Sequence, residues 1–112
     1  MTRRQYRHGD LLLVKVNAIP NGVTEKPRTP FEVQRNITGR VLAEGEATGH
    51  AHIVDLPTTS PLYEKNGKLY FHSTKVTPLT HDEHAKIELP AGTYEVIRQR
   101  EHTPQGIRNV ED

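Results

Sequence analysis

The sequence contains no cysteine and no tryptophan. Without cysteine there are no disulfides, no thiolate nucleophile and no Cys-bound zinc, which leaves His, Asp and Glu as the strong metal ligands. Aromatic residues are only 5% and apolar residues only 33% of the 112-residue chain. That composition supports one domain with a modest core. Long apolar runs are missing as well. The longest, Leu11–Val14, falls far short of the ~20 residues that cross a bilayer. The opening MTRRQYRHGD is basic and lacks the apolar segment of a secretory signal. The expectation is a cytoplasmic protein with no membrane association.

Charge of one sign is also scarce: 26% of residues are charged, with a net charge of +1. A mixed balance of this kind is not that of a disordered polyelectrolyte. Its distribution is uneven, however, because residues 1–40 carry eight Lys/Arg against three Asp/Glu. Arg3, Arg4 and Arg7 lie within a basic arm over residues 1–8. Such an arm can contact phosphates, although solvation of a chain end is the commoner role, and a nucleic-acid partner is not the favoured reading.

What the chain does have is strand signals. Asp10–Val16 (DLLLVKV) is an apolar run between Gly9 and the turn cluster Ile19-Pro20-Asn21-Gly22. Val23–Pro30 reads as a loop, Ile37–Glu46 and His50–Leu56 as strands, and Val76–Leu79 as a strand that Pro78 confines to an edge. Leu62–His72 brackets Asn66-Gly67, the dipeptide of a type I′ hairpin turn. Thr80-His81-Asp82-Glu83 has capping-box spacing, which predicts one helical turn. Ile87–Leu89 and Thr93–Arg100 flank the tight turn Pro90-Ala91-Gly92, and a polar tail over residues 103–112 docks through Ile107 and Val110. The pattern predicts a single all-β domain over residues 1–112, a small barrel or a two-sheet sandwich with at most one short helical turn.

Histidines carry the chemical interest. In GEATGHAHIV, His50 and His52 stand one residue apart, so on a strand they share a face about 6.5–7 Å apart at Cα and can converge on one ion. His81 and His84 are spaced to share one turn, and either would complete a set with an open position. Glu83 and Glu95 are candidate general bases. The plain alternative is that His-x-His lies on a solvated face and His81–His84 is an exposed loop. His72 is a weaker ligand candidate, and His8 and His102 read as ordinary polar residues. Gly45 and Gly49 mark a bend beside His50, and GEATG lacks the spacing and Lys of a phosphate loop. Arg98, Arg100 and Glu101 read as a charged face, with a cationic pocket for an anion as the sharper option.

Two stretches, VLAEGEATGHAHIV and HDEHAKIELPAGTYEVIRQREHTPQGIR, resemble an uncharacterised family of small bacterial and phage proteins. Its members combine a Gly-Asp-aliphatic opening strand, a GHAH segment and a closing Ile-x-Leu-Pro-x-Gly-x-Tyr-x-Val strand that leads into Gln-Arg-Glu. The resemblance implies no activity. A looser similarity is to cupins, in which an HxH pair and a later His hold a metal. Here His50-Ala51-His52 looks like the first cupin motif and Pro90–Tyr94 like the turn of the second. The carboxylate that usually follows HxH is missing, and Glu95 stands where cupins have His.

The leading expectation is a divalent metal (Zn²⁺, Fe²⁺, Mn²⁺ or Ni²⁺) on His50, His52 and either His81 or His84, serving a metal-dependent hydrolase or oxygenase if the protein is an enzyme at all. The alternative is a binding or adaptor protein of a bacterial or phage system that contacts protein or nucleic acid. The small-molecule or protein partner is undetermined, and a homodimer is compatible with exposed edge strands.

Overall fold

A computed structural model describes residues 4–44, 50–103 and 106–109, with side chains up to residue 99. In chain order its elements are β1 (Gln5–His8), β2 (Leu11–Val16), β3 (Thr24–Lys26), α1 (Pro30–Gln34), β4 (Arg40–Glu44), β5 (Ala51–Val54), β6 (Leu62–Lys65), β7 (Lys68–Ser73), β8 (Thr77–Thr80), β9 (Ile87–Leu89), β10 (Gly92–Arg98), β11 (Arg100–Thr103) and β12 (Gly106–Asn109). Two antiparallel sheets make the body. One runs β1-β2-β10-β7-β6-β3, the other β4-β5-β8-β9, and β11 and β12 form a separate hairpin. The fold is all-β with two sheets and does not close into a barrel. No described helix is long and apolar enough to cross a membrane.

Period-2 alternation builds the core. Leu11 and Leu13 on β2, Phe71 on β7 and Tyr94 and Val96 on β10 face Leu42, Val54, Leu79 and Leu89 from the smaller sheet, as expected when two sheets each bury one face. The β6–β7 hairpin turns at Asn66 and Gly67, with φ of +53° and +78°, the left-handed values that a type I′ turn requires.

Several elements depart from the sequence reading. Gln5–His8, within the basic arm, is a strand paired with β2. The segment read as a loop over Val23–Pro30 contains β3 and the start of α1. There Thr29 caps the helix and Glu32 returns the bond, a complete capping box with Pro30 at the first turn. By contrast, Thr80–Glu83 forms no helical turn. Thr80 pairs with Ile53 of β5, and the Glu83 N–H donates to Nδ1 of His81 instead of to Thr80. Pro78 lies in an interior strand, not at an edge, since β8 sits between β5 and β9. Its ladder to β5 begins only at Leu79, and the Pro78 carbonyl accepts from Asp55 N–H.

Candidate metal centre

Three segments meet at one end of the two sheets. The tight β1–β2 turn presents His8, Gly9 and Asp10, β5 presents His52, and the connection from β8 to β9 presents His81 and His84. Because Ile53 pairs with Thr80, extending that antiparallel ladder by one step sets His52 beside His81, with ring centroids 4.5 Å apart. His81 lies 4.6 Å from His84. His8 reaches in from the other sheet to within 5.0 Å of His52 and 5.8 Å of His84. A register shift between Val41 and Ala43 of β4 lies opposite His52, where a bulge redirects side chains.

Both innermost rings are buried, His8 at 3% and His52 at 4% exposure. Nε2 of His8 lies 3.0 Å from the Ala85 carbonyl. Nε2 of His52 lies 3.2 Å from Oδ1 of Asp10, and the other Asp10 oxygen accepts from Nε of Arg98 at 2.8 Å. Arg98 also donates to the Glu44 carbonyl at 3.0 Å. The two Nδ1 atoms of His8 and His52 then face each other at 2.9 Å. Gly9 makes this approach possible. Its φ is +61°, and a Cβ there would stand 2.7 Å from His84 Nε2 and 2.9 Å from His52 Cε1.

The electrostatics favour neutral rings. Burial, and then the neighbouring His81 and His8, push His52 down to about 4. Burial and then His84 and His50 also lower His81. Burial alone would raise the Asp10 carboxyl, but the hydrogen bond and charge of Arg98, with His52, outweigh it and hold Asp10 below its ordinary value. Neutral imidazole is the form that binds metal. Among the described residues, however, no three His, Asp or Glu side chains are grouped so that they could hold a metal ion.

The structure therefore gathers His52, His81 and His84, and adds His8. His50 sits at the rim, its ring 5.7 Å from His81, with Nδ1 on a Glu83 carboxylate oxygen and Nε2 3.7 Å from Asp82. Glu83 thus stands at the rim too. Glu95 is elsewhere, accepting from Tyr70 at 3.0 Å and facing Lys68 at 3.8 Å, and His72 pairs with Thr93. Arg4 and Arg7 are exposed on and beside β1, while Arg3, Gly45 and Gly49, and the side chains of Arg100, Glu101, His102, Ile107 and Val110, lie outside the described residues. Arg98 lines a cavity of about 430 Å³ between the sheets, together with Leu11, Leu42, Leu69, Val96 and Lys26. The sequence reading missed His8 and Asp10. The available signal was the run His8-Gly9-Asp10 between two strand patterns, which marks a tight turn that would bring both residues to the end of a sheet.

With this arrangement in view, a family model matches residues 7–99, described as Domain of unknown function (DUF8820). The chain belongs to that family. No curated protein and no solved structure matches it. The DUF8820 span runs from just before His8 to just after Arg98, so it contains every residue of the histidine cluster and its hydrogen-bonded support.

Proposed function

We propose that this DUF8820 protein binds a divalent metal ion at the histidine cluster, with His52 at its centre and the His81–His84 connection supplying a further ligand. The observation that carries this reading is the burial of His8 and His52 nitrogen to nitrogen, with His81 and His84 beside them. Facing imidazole nitrogens are served either by one ring donating to the other or by a cation held between them, and the gathering of four histidine rings at one end of the sheets favours the cation. Imidazole accepts Zn²⁺, Fe²⁺, Mn²⁺ and Ni²⁺ alike.

His84 is the better placed third ligand. The Glu83 N–H occupies Nδ1 of His81, which leaves the ring proton on Nε2. Among the described residues no hydrogen bond commits a nitrogen of His84. The exposed rim of His50, Asp82 and Glu83 is where water or a substrate would reach an open coordination position, with Glu83 as the base if the centre is catalytic. We place the protein in the cytoplasm, a reading that the lack of cysteine in the sequence and its resemblance to small bacterial and phage proteins support.

The test is elemental analysis of protein purified without a histidine tag, followed by melting with each of the four ions and with chelator. Near-stoichiometric metal and a rise in Tm are expected. No uptake of any of the four, with Tm unmoved by metal or chelator, would overturn the reading.

A further inference from the structure

We infer that the cavity between the two sheets binds a small zwitterion with an apolar side chain, of the amino-acid or dipeptide class, its carboxylate on Lys26 and its ammonium on Glu64. This site is not the histidine cluster and needs no metal.

The cavity has the size and the walls of a small-molecule site. Its volume of about 430 Å³ falls within the roughly 300–1,000 Å³ of such pockets, which combine apolar walls with a few polar groups. Leu11 and Val96 of the larger sheet face Leu42 of the smaller one across it, and all three are buried. Gly67 also borders the cavity and is exposed, so the mouth lies beside the β6–β7 turn.

Charge selects the ligand. Lys26, Glu44, Glu64 and Arg98 line the same cavity. Arg98 is already matched, since its Nε donates to Asp10 at 2.8 Å and its Nη2 to the Glu44 carbonyl at 3.0 Å. Among the described residues, the Lys26 ammonium and the Glu44 and Glu64 carboxylates take part in no ion pair. One cation and two carboxylates are therefore left over around apolar walls. A purely anionic guest would meet both carboxylates, and a purely cationic one would leave the half-buried Lys26 uncompensated beside it. A zwitterion answers both signs.

Strand register decides which carboxylate serves. Lys26 of β3 stands opposite Leu62 of β6, and Glu64 stands opposite Thr24. Lys26 and Glu64 are thus diagonal neighbours on one face of adjacent strands, about 7–8 Å apart at the backbone. They form no ion pair with each other, and a molecule carrying one group of each sign can bridge them. Leu69, another lining residue, lies opposite Glu64 on β7, which sets an apolar wall beside the ammonium end. Glu44 belongs to the other sheet.

Methyl ¹H–¹³C spectra of the full chain, labelled at Leu and Val, read binding at these walls. L-leucine and L-leucyl-L-leucine are the probes, and the tighter of the two separates an amino-acid guest from a dipeptide. Saturable shifts are expected at Leu11, Leu42, Leu69 and Val96. Lys26→Met and Glu64→Gln should each weaken the tighter zwitterion about tenfold or more, the loss of one hydrogen bond between charged groups. Lys26→Met should leave 3-methylbutylamine, which has no carboxylate, unaffected, and Glu64→Gln should do the same for 4-methylpentanoate, which has no ammonium. Glu64 is exposed and Lys26 half-buried, so neither change removes a core group. No saturable shift with either zwitterion overturns the inference. So does undiminished zwitterion binding in either variant, or binding of 4-methylpentanoate or 3-methylbutylamine as tight as that of leucine.

Discussion

Glu32 and His52 are both buried polar side chains, and their surroundings differ in kind. Glu32 accepts from the N–H groups of Thr29 and Val41 and from Nε of Arg40 at 3.1 Å. Arg40 spends its remaining donors on the Ser60 and Lys26 carbonyls, and Arg28 closes the loop through the Gly39 and Ile37 carbonyls. Donors there meet acceptors and the two charges meet each other. Around His52 there is no such pairing of opposite charges: its Nδ1 meets another imidazole nitrogen, that of His8, at 2.9 Å, and the rings of His81 and His84 stand close by. The first network is complete as a piece of protein, and the second is where we propose that a cation binds.

The sharpest way to break this contrast is to remove one partner from each network. Glu32→Gln leaves the buried Arg40 guanidinium without its counter-charge and should cost about 3–5 kcal/mol in urea unfolding, with Zn²⁺ affinity unchanged in the protein that remains folded. His52→Gln should do the reverse. It should alter metal-free stability little and abolish the stabilisation of about 2.7 kcal/mol that Zn²⁺ supplies at roughly 100 times Kd. If His52→Gln destabilises the metal-free chain as strongly as Glu32→Gln, the histidine cluster is architecture as well.

Gly9 joins the two questions, since its turn is structural and its surface touches His84 and His52. Gly9→Ala should cost about 1–2 kcal/mol for a side chain in the left-handed region and should also weaken Zn²⁺ binding by displacing His84. A loss of stability with affinity intact would show that the close packing there does not serve the site. The pH dependence sharpens the Glu32 side. Burial raises that carboxyl, but the Thr29 and Val41 N–H groups and then Arg40 hold it below its ordinary value. Its stabilising contribution is therefore present above the unfolded-state pKa and is lost as pH falls through the lower folded value. Urea midpoints should fall for the wild type as pH drops from neutral through the carboxylate range, and Glu32→Gln should remove part of that slope.

Legibility in the sequence followed locality. Asn66-Gly67 encodes its turn within two residues, so the β6–β7 hairpin was readable. The Thr29-Pro30-Phe31-Glu32 capping box is equally local, while Thr80–Glu83 has the same spacing but loses Thr80 to the sheet. The meeting of His52 with the His81–His84 connection depended on which strand pairs with β5. That long-range choice leaves no mark in the motif itself. His8 was hidden for the same reason, because its partner lies 44 residues away and on the other sheet. The HxH spacing then gave His50 and His52 equal standing, while the chain turns one to a carboxylate at the rim and buries the other.

That division yields the smallest expected effect and a direct check of where the site ends. The ion pair of His50 and Glu83 is largely solvated, with the Glu83 side chain 62% exposed. Such pairs contribute about 0–1 kcal/mol. Glu83→Gln should therefore leave urea stability within roughly 0.5 kcal/mol and Zn²⁺ affinity within a few-fold, since neither atom of the pair lies between the nitrogens of His8 and His52. A loss of Zn²⁺ affinity as large as that of His52→Gln would move the rim into the ligand set. His50 would then be a ligand, with Glu83 orienting it, and the line drawn between buried histidines and a solvated rim would have to be redrawn one residue outward.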